Sequence, residues 1–289
     1  MNTERAQQRS THQTIAAIFN RAASTYDHVG PAFFAYFGSR LVELAHLAPG
    51  EHVLDIATGR GAALFPACDA VGFSGRVIGI DLAPAMVAAT HAEAIARGDT
   101  NITLLPMDAA SLAFADATFD AVLCGFAVFF LPDALAALQE WQRVLKPDGR
   151  LVLSTWIDPF GPELEWFAPL QRTVLPLPAA PACSGTEPPI FDTPAGLTAL
   201  LARAGFIEIA VQVERARFVY ADEETWWASL WSHGIRGWLE SVERERGAAA
   251  VQHFKETAFA LLREGRQPDG FPQTSSALLG RATRTALAE

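Results

Sequence analysis

The stretch Val53–Ala62, VLDIATGRGA, decides the fold class. Four of its first five residues are apolar, and the small residues that follow, with Gly59 and Gly61, form a loop that leads into a helical pattern. In an open α/β sheet, a strand–loop–helix unit of this kind binds ligands beyond the carboxyl end of the strand, where the loop N–H groups point outward. The stretch therefore predicts a site for an anionic or zwitterionic ligand at this loop.

Short apolar runs alternate with helical patterns on both sides of this stretch. Runs that are apolar on both alternating faces are typical of parallel strands covered by helices on both sides. We predict a doubly wound, Rossmann-like α/β fold with a seven-stranded sheet and two helices before the first strand. The predicted strands are 53–57, 76–80, 102–106, 119–126, 149–156, 206–213 and 276–283. The predicted helices are 15–23, 32–47, 61–70, 84–97, 133–145 and 193–204, with one or two more between 222 and 262.

A segment rich in proline and aromatic residues interrupts the strand–helix alternation after Trp156. We interpret it as a lid insertion. The predicted organisation is an N-terminal helical cap at 1–50, a Rossmann-like ligand-binding core at 51–157, the lid insertion at 158–192, and a C-terminal part of the fold with inserted helices at 193–289.

Charge and composition exclude several classes of protein. Lys and Arg number 22 and Asp and Glu 32, a net charge of −10, which disfavours nucleic acid or anionic lipid as a partner. The longest apolar run, residues 121–131, is shorter than the ~20 residues of a membrane helix, and the polar N-terminus lacks a secretory pattern. Three scattered cysteines suit a reducing compartment and, with no histidine pair at ligand spacing, offer no metal site. We expect a cytoplasmic protein.

Acidic residues stand at the ends of three successive predicted strands: Asp55, Asp81 and Asp108. A dinucleotide fingerprint would need a glycine where Leu64 stands, which weakens a pyrophosphate-binding interpretation. Asp81 lies 20 residues after Gly61, where either a dinucleotide or another nucleoside cofactor would place a carboxylate on ribose hydroxyls. Asp81 alone therefore leaves both cofactor classes open.

The sequence resembles the class I S-adenosylmethionine-dependent methyltransferases, most closely the small-molecule branch of ubiquinone and menaquinone biosynthesis methyltransferases. Each matching segment is short, and the specificity comes from their common order and spacing over residues 19–156. The segments are FNRAASTYD at 19–27, VLDIATGRGA at 53–62, GIDLAPAMVAAT at 79–90, MDA at 107–109 with AFADATFDAVLCGF at 113–126, and LQEWQRVLKPDGRLVLSTW at 138–156.

The resemblance implies that S-adenosylmethionine is the cofactor and that the loop after the first strand holds its methionyl part. In this interpretation Gly59 and Gly61 cradle that part, Asp55 organises its ammonium group, and Tyr26 covers it. The family usually has glycine at the position of Ala57, so the chain departs from the pattern there.

The resemblance also assigns the adenosine part. Asp81 is expected to accept both ribose hydroxyls, Leu82 and Met86 to flank the adenine, and Asp108 with the backbone of Ala109 to contact its edge. A carboxylate suits these roles because it accepts hydroxyl or amino donors in charge-assisted hydrogen bonds.

Aromatic residues point to an apolar acceptor pocket. We expect Phe126 to contact both cofactor and acceptor, and Trp166, Trp231 and His233 to contact the acceptor. Trp227, Trp231 and Trp238 share one face of a single predicted helix. His233 and His28 are the candidates for removing a proton from the acceptor.

These observations predict a methyltransferase of secondary metabolism that acts on an apolar or aromatic small molecule. Alignment of the acceptor and exclusion of water supply most of the catalysis, because the cofactor carries the electrophile. The sequence after the fourth strand, Cys124–Ala127, lacks the Asn/Asp-Pro-Pro-aromatic motif of nucleobase amino methylation. Two alternatives stay open: a non-methylating protein that binds S-adenosylmethionine and steers a rearrangement, and a nicotinamide-dependent oxidoreductase. The acceptor atom and the oligomeric state are also left open.

Overall fold

The computed structural model of the chain describes residues 13–175 and 191–285. Its centre is one seven-stranded sheet in the order β3-β2-β1-β4-β5-β7-β6. The strand order reverses between β1 and β4, which opens a crevice beyond their carboxyl ends. The strands are β1 His52–Ile56, β2 Arg76–Asp81, β3 Ile102–Pro106, β4 Phe119–Gly125, β5 Leu145–Asp158, β6 Phe206–Tyr220 and β7 Phe271–Arg284.

Helices cover both faces of this sheet because alternate strand residues point to opposite sides. Leu54 packs in one core cluster with helices α5 and α7, and Val53 packs in a second with α2 and α3. No helix in the described part of the chain is long and apolar enough to cross a membrane. The helices are α1 13–22, α2 Phe33–Ala45, α3 Leu64–Val71, α4 Pro84–Arg97, α5 Ala134–Val144, α6 Phe167–Val174, α7 Pro194–Arg203, α8 Glu223–Trp231, α9 Ile235–Arg246 and α10 Ala248–Glu264, with short 3₁₀ turns at Val128–Phe130 and Pro162–Leu164.

The structure confirms the predicted seven-stranded, helix-flanked α/β fold. Strands β1 to β5 pair in parallel, whereas β7 lies between β5 and β6 and runs antiparallel to both. The sheet is therefore mixed rather than wholly parallel. The antiparallel ladder between β6 and β7 continues up to the pair Tyr220 and Phe271, beyond the predicted strand limits at residues 213 and 276. These additional residues build a wall above the tips of the parallel strands.

The late helical region differs from the prediction. Three helices, rather than one or two, connect β6 to β7, and Trp238 lies on α9 whereas Trp227 and Trp231 lie on α8. The expectation of a single tryptophan-bearing helix face was therefore wrong, because α8 ends at Trp231 and α9 begins only at Ile235. The four helices α6, α8, α9 and α10 pack around one apolar cluster, which we name the aromatic cap.

Residues 158–164, which we name the strap, lead from β5 towards the aromatic cap. The Asp158 carboxylate accepts hydrogen bonds from the backbone N–H groups of Phe160 and Gly161, at 3.1 and 2.9 Å. The Glu163 carboxylate accepts from the backbone N–H and the hydroxyl of Thr274 on β7, at 3.0 and 2.7 Å. The strap is thereby fixed to β7. The predicted lid insertion at 158–192 includes residues 176–190, which lie outside the described residues.

Candidate active site

The loop between β1 and α3 follows a left-handed backbone course. Ala57, Gly59 and Gly61 have φ angles of 54°, 53° and 81°. At Gly61 a Cβ atom would lie 2.4 Å from the ring of Phe65, so the close packing as well as the positive φ requires glycine. This backbone also explains why α3 begins at Leu64 rather than at the predicted residue 61.

Hydrogen bonds from three elements hold this loop. The Thr58 N–H donates to the carbonyl of Ile80 on β2 at 2.9 Å, and the Thr90 hydroxyl of α4 donates to the carbonyl of Gly59 at 2.7 Å. The guanidinium of Arg60 donates to the carbonyl of Ala23 at the end of α1, at 2.7 Å. The loop is therefore preorganised and linked to the N-terminal helix.

Asp81 ends β2 and faces the cavity beside the loop. One carboxylate oxygen accepts from the N–H of Gly59 at 2.9 Å, and the other accepts from the N–H of Ala83 at 2.8 Å. Burial raises the pKa of Asp81 above its ordinary value, while these backbone donors favour the charged form. Asp81 thus presents a fixed carboxylate at the place where the sequence predicts ribose hydroxyls.

Asp55 lies on β1 behind the loop and Gly61 is part of the loop, and neither residue lines the cavity, which corrects the predicted contact of Gly61 with a ligand. Asp55 is only 1% exposed, and its carboxylate accepts a hydrogen bond of 2.6 Å from the Thr58 hydroxyl. Burial raises the pKa of Asp55 to about 7, and the charge of Asp81 adds to the effect. Because Asp55 does not face the cavity, it can organise a ligand only through the loop, which corrects the predicted role beside the ammonium group.

One cavity of about 360 Å³ extends from this loop to the aromatic cap. Its two ends differ in character. The cofactor end is formed by Tyr26, Gly59, Asp81, Leu82, Met86, Asp108 and Ala109. The acceptor chamber is formed by Phe33, Phe34, Phe126, Trp156, Phe160, Tyr220, His233 and Gln273.

The charged residues that line the cavity favour one of the two cofactor classes, a sulfonium nucleoside or a dinucleotide. Asp27, Asp81 and Asp108 contribute carboxylates, and no lysine or arginine is among the lining residues in the described part of the chain. A sulfonium nucleoside carries positive charge and suits such a lining, whereas a pyrophosphate would meet like charges without a cationic partner. Within residues 13–175 and 191–285, no group of His, Cys, Asp and Glu side chains is arranged to hold a metal ion.

Aromatic rings build the walls of the acceptor chamber. Phe126 stacks on Trp156 with ring centroids 3.8 Å apart and an interplanar angle of 16°. Phe33 lies 5.0 Å from the same tryptophan ring. The Asp27 carboxylate accepts from the N–H groups of Phe34 and Ala35 at 3.0 and 2.8 Å, which fixes the start of α2 against the chamber. The chamber therefore offers flat apolar surfaces in a fixed arrangement.

The two candidate histidines are in different places. His233 lines the chamber, with its ring 6.4 Å from that of Phe34, and no side chain in the described ranges hydrogen-bonds to its imidazole. Burial lowers the pKa of His233 to about 4, so the ring is neutral at pH 7 with one unprotonated nitrogen, and the same burial makes it a weaker base than an exposed imidazole. His28 lies in the turn after α1, is exposed and does not line the cavity. The structure thus leaves His233 as the candidate.

The predicted acceptor contacts at Trp166 and Trp231 are not at the cavity. Trp166 packs in the aromatic cap against Trp226, with centroids 6.0 Å apart. Trp231 packs against Trp227 at 6.4 Å and beneath the guanidinium of Arg236. These placements correct the prediction: both rings contribute to the packing of the cap rather than to the wall that an acceptor meets.

Sequence reasoning missed Tyr220 and Gln273, which line the far end of the chamber. Both lie in the extended ends of β6 and β7, beyond the predicted strand limits. No local motif marks them, because only the long antiparallel ladder between β6 and β7 brings these two strand ends together at the cavity.

The chain is similar in sequence to known methyltransferases. Residues 54–153 match a family model described as "Methyltransferase domain". Nocamycin O-methyltransferase of Saccharothrix syringae is 37% identical over 245 residues, which cover 81% of this chain and 87% of that protein. The 2-phytyl-1,4-naphtoquinone methyltransferase of Synechococcus elongatus is 32% identical over 178 residues, covering 59% of this chain and 76% of its own.

A solved structure shares the fold. The YcgJ protein of Bacillus subtilis superposes with a TM-score of 0.55 at 21% sequence identity, covering 86% of this chain and 99% of that one. The relatives, the matched domain and the carboxylate-lined crevice lead to one conclusion. The chain belongs to the class I S-adenosylmethionine-dependent methyltransferases and is a small-molecule enzyme of that family.

Proposed function

We propose that this enzyme transfers a methyl group from S-adenosylmethionine to an oxygen atom of an aromatic acceptor bound in the acceptor chamber. The observation that carries the proposal is the continuity of one cavity from a carboxylate-lined end to a chamber of flat aromatic walls. The name of the relative from Saccharothrix syringae, an O-methyltransferase, supports oxygen as the acceptor atom. Aromatic walls favour an aromatic acceptor because stacked rings gain contact area and favourable ring geometry.

The cofactor end suits the residue roles that the resemblance implies. Asp81 would accept the ribose hydroxyls with the carboxylate oxygens that already accept from Gly59 and Ala83. Leu82 and Met86 supply the apolar surface for the adenine, and Asp108 with Ala109 lies beside them on the cavity wall. The cofactor, when bound, supplies the methyl group as an electrophile.

Tyr26 and Phe126 lie where the two ends of the cavity meet. The Tyr26 ring stacks on Phe34, with centroids 4.8 Å apart, and a Cβ atom on Gly59 would lie 3.8 Å from it. Phe126 connects the cofactor end to Trp156 through its stacked ring. These rings would exclude water from the methyl group and hold the acceptor in line with it.

His233 is the proposed proton acceptor. Its neutral imidazole faces the chamber and is the only histidine among the lining residues of the described chain. A hydroxyl acceptor loses its proton when its oxygen gains a methyl group, and the proton would pass to a ring nitrogen of His233.

Further features belong to the same proposal. A cavity of about 360 Å³ and the net charge of −10 support a small molecule rather than a nucleic acid as acceptor. A cytoplasmic location fits the cofactor. The four-part division of the chain at residues 50, 157 and 192 stays a prediction. Family membership favours methyl transfer over the oxidoreductase and the non-methylating alternatives.

The test is incubation of the purified chain with methyl-labelled S-adenosylmethionine and a panel of phenols, hydroxyquinones, indoles and aromatic amines. We expect label in the phenols or hydroxyquinones, and mass spectrometry and NMR should place the new methyl group on oxygen. Transfer to nitrogen or carbon alone would contradict the proposed acceptor atom. Tight binding of S-adenosylhomocysteine without transfer to any member would contradict the proposed aromatic acceptor.

A further inference from the structure

A polar side chain lies at the far end of the otherwise aromatic chamber. Gln273 is the third residue of β7, is only 6% exposed and lines the cavity. Its register partner on β6 is Phe218, which packs with Phe37 and Phe126 beside the chamber. Buried amides in such surroundings are normally hydrogen-bonded through both ends. The hydrogen-bond partners of the amide nitrogen and the amide oxygen of Gln273 therefore indicate the function of this residue.

The nitrogen of the Gln273 amide is used within the protein. Nε2 donates to the carbonyl of Pro159 in the strap at 2.8 Å and lies 3.4 Å from the hydroxyl of Ser275. These contacts orient the amide, because a carbonyl accepts only from the nitrogen end. The oxygen Oε1 is directed away from the strap, and no donor from residues 13–175 or 191–285 contacts it. Oε1 is therefore a fixed acceptor at the cavity surface that is available to a ligand.

Two serine hydroxyls at this end already donate their protons within the protein. The Ser229 hydroxyl donates to the carbonyl of Trp226 at 2.7 Å. The hydroxyl of Ser232 donates to the carbonyl of Ser229 at 2.7 Å. The protons of these hydroxyls are thus used within the protein, whereas Gln273 presents a carbonyl oxygen of an oriented amide to the cavity.

Gln273 is separated from the cofactor end both across the sheet and along its strand. β7 is the second strand from β4, about 10 Å away across the sheet, and Gln273 lies four residues beyond Ala277, which pairs with Trp156. The rings of Phe33, Phe126 and Trp156 pack against one another and form a continuous aromatic wall between the two. A flat, fused-ring molecule can lie against this wall.

We propose that Gln273 determines acceptor specificity: its Oε1 accepts a hydrogen bond from a hydroxyl on the edge of a fused-ring acceptor opposite the edge that is methylated. The inference rests on the proposed function and adds the acceptor class, a polycyclic compound with hydroxyls on both edges. A neutral amide oxygen selects a neutral hydroxyl, because an ammonium group would be buried there without a counter-charge.

The test measures binding of emodin and of chrysophanol, two anthraquinones that differ by one hydroxyl, to the full chain saturated with S-adenosylhomocysteine. Equilibrium dialysis gives both Kd values for the native chain and for Gln273→Met and Ser275→Ala. Ser275 donates to the same Pro159 carbonyl at 2.7 Å but does not line the cavity, so its variant controls for loosening of the strap.

We expect the native chain to bind emodin about ten-fold more tightly than chrysophanol, which is the effect of one buried hydrogen bond. Gln273→Met should reduce this ratio to about two-fold or less, and Ser275→Ala should keep it. The proposal is overturned by absence of the preference in the native chain, by its persistence in Gln273→Met, by its equal loss in Ser275→Ala, or by failure of both compounds to bind. Calorimetry with S-adenosylhomocysteine alone separates these outcomes from failure of the cofactor site itself.

Discussion

The cofactor end and the acceptor chamber share one cavity but are built in different ways. At the cofactor end, backbone groups of neighbouring strands and one short loop set the geometry, as the Asp81 contacts to Gly59 and Ala83 demonstrate. The chamber is assembled from side chains of α2, the β4 and β5 tips, the strap, α8 and the ends of β6 and β7. The first is held by directional hydrogen bonds and the second by ring packing.

This difference has a functional consequence. Hydrogen-bonded backbone geometry tolerates little change, which suits a site for an invariant cofactor. Packed rings tolerate substitutions that conserve volume, so a chamber of this kind can accept new shapes while the cofactor end stays constant. Substitutions at the two ends should therefore separate cofactor binding from acceptor turnover.

The largest effect is expected at the cofactor end. Asp81→Ala removes the carboxylate that holds Gly59 and is proposed to accept the ribose hydroxyls, so the affinity for S-adenosylhomocysteine should fall by about 100-fold or more. Isothermal titration calorimetry measures the Kd. Asp192→Ala, which removes an exposed carboxylate outside the cavity, should leave it unchanged. An unaltered Kd in a folded Asp81→Ala variant would exclude the ribose role.

The next effect separates chemistry from cofactor binding. His233→Asn removes the proposed proton acceptor, so kcat should fall by about 100-fold while the Kd of S-adenosylhomocysteine changes by no more than about two-fold. His253→Asn, at an exposed position of α10, is the matched control. A kcat that stays within about three-fold of the native value would remove His233 from the proton pathway.

Two tryptophans test which rings form the chamber. Trp156→Ala removes the ring stacked on Phe126, and kcat/KM for an aromatic acceptor should fall by about 30-fold, equivalent to about 2 kcal/mol. Trp231→Ala removes a ring of similar size that packs in the cap, and it should change kcat/KM by less than about three-fold. Equal losses in the two variants would contradict the boundary between the chamber and the aromatic cap.

The pH dependence of stability tests the support behind the loop. Burial raises the pKa of Asp55 from 3.8 to about 7, so the folded chain retains a proton that the unfolded chain releases between these values. The contribution of Asp55 to the free energy of unfolding has its full value at low pH and is lost as the pH rises towards 7. Between about pH 5 and about pH 7, the free energy of unfolding of the native chain should fall by about 2 kcal/mol relative to Asp55→Asn. Urea unfolding of both proteins measures it, and parallel curves would refute the assignment.

The smallest effect concerns the departure from the family pattern at Ala57. Its φ of 54° strains a residue with a Cβ atom, so Ala57→Gly should raise the free energy of unfolding by up to about 1 kcal/mol. The Kd for S-adenosylhomocysteine should stay within about two-fold of the native value, because the loop hydrogen bonds involve the backbone. Thermal unfolding and calorimetry measure both quantities. A loss of stability would indicate that the native loop is not strained.

Local patterns predicted most of the first half of the chain. The strand starting at residue 53, the glycine loop and the positions of Asp81 and Asp108 follow from short-range sequence, because a strand tip and its following loop are neighbours in the chain. The helix at 84–97 was confirmed with the same limits. The prediction was poorer where contacts join distant residues, as at Trp166 and Trp231.

The amino-acid sequence by itself predicted the α/β sheet and the strand-end positions of Gly59, Asp81 and Asp108, since apolar periodicity, glycine positions and strand-end carboxylates are local properties, and the family resemblance added the cofactor class. Tertiary structure alone decided that Asp55 stands behind the loop, that His233 rather than His28 reaches the cavity, and that Tyr220 and Gln273 close its far end. The reason is physical. Side-chain packing and the antiparallel ladder between β6 and β7 bring together residues that are far apart in the chain, and the local sequence does not predict such contacts.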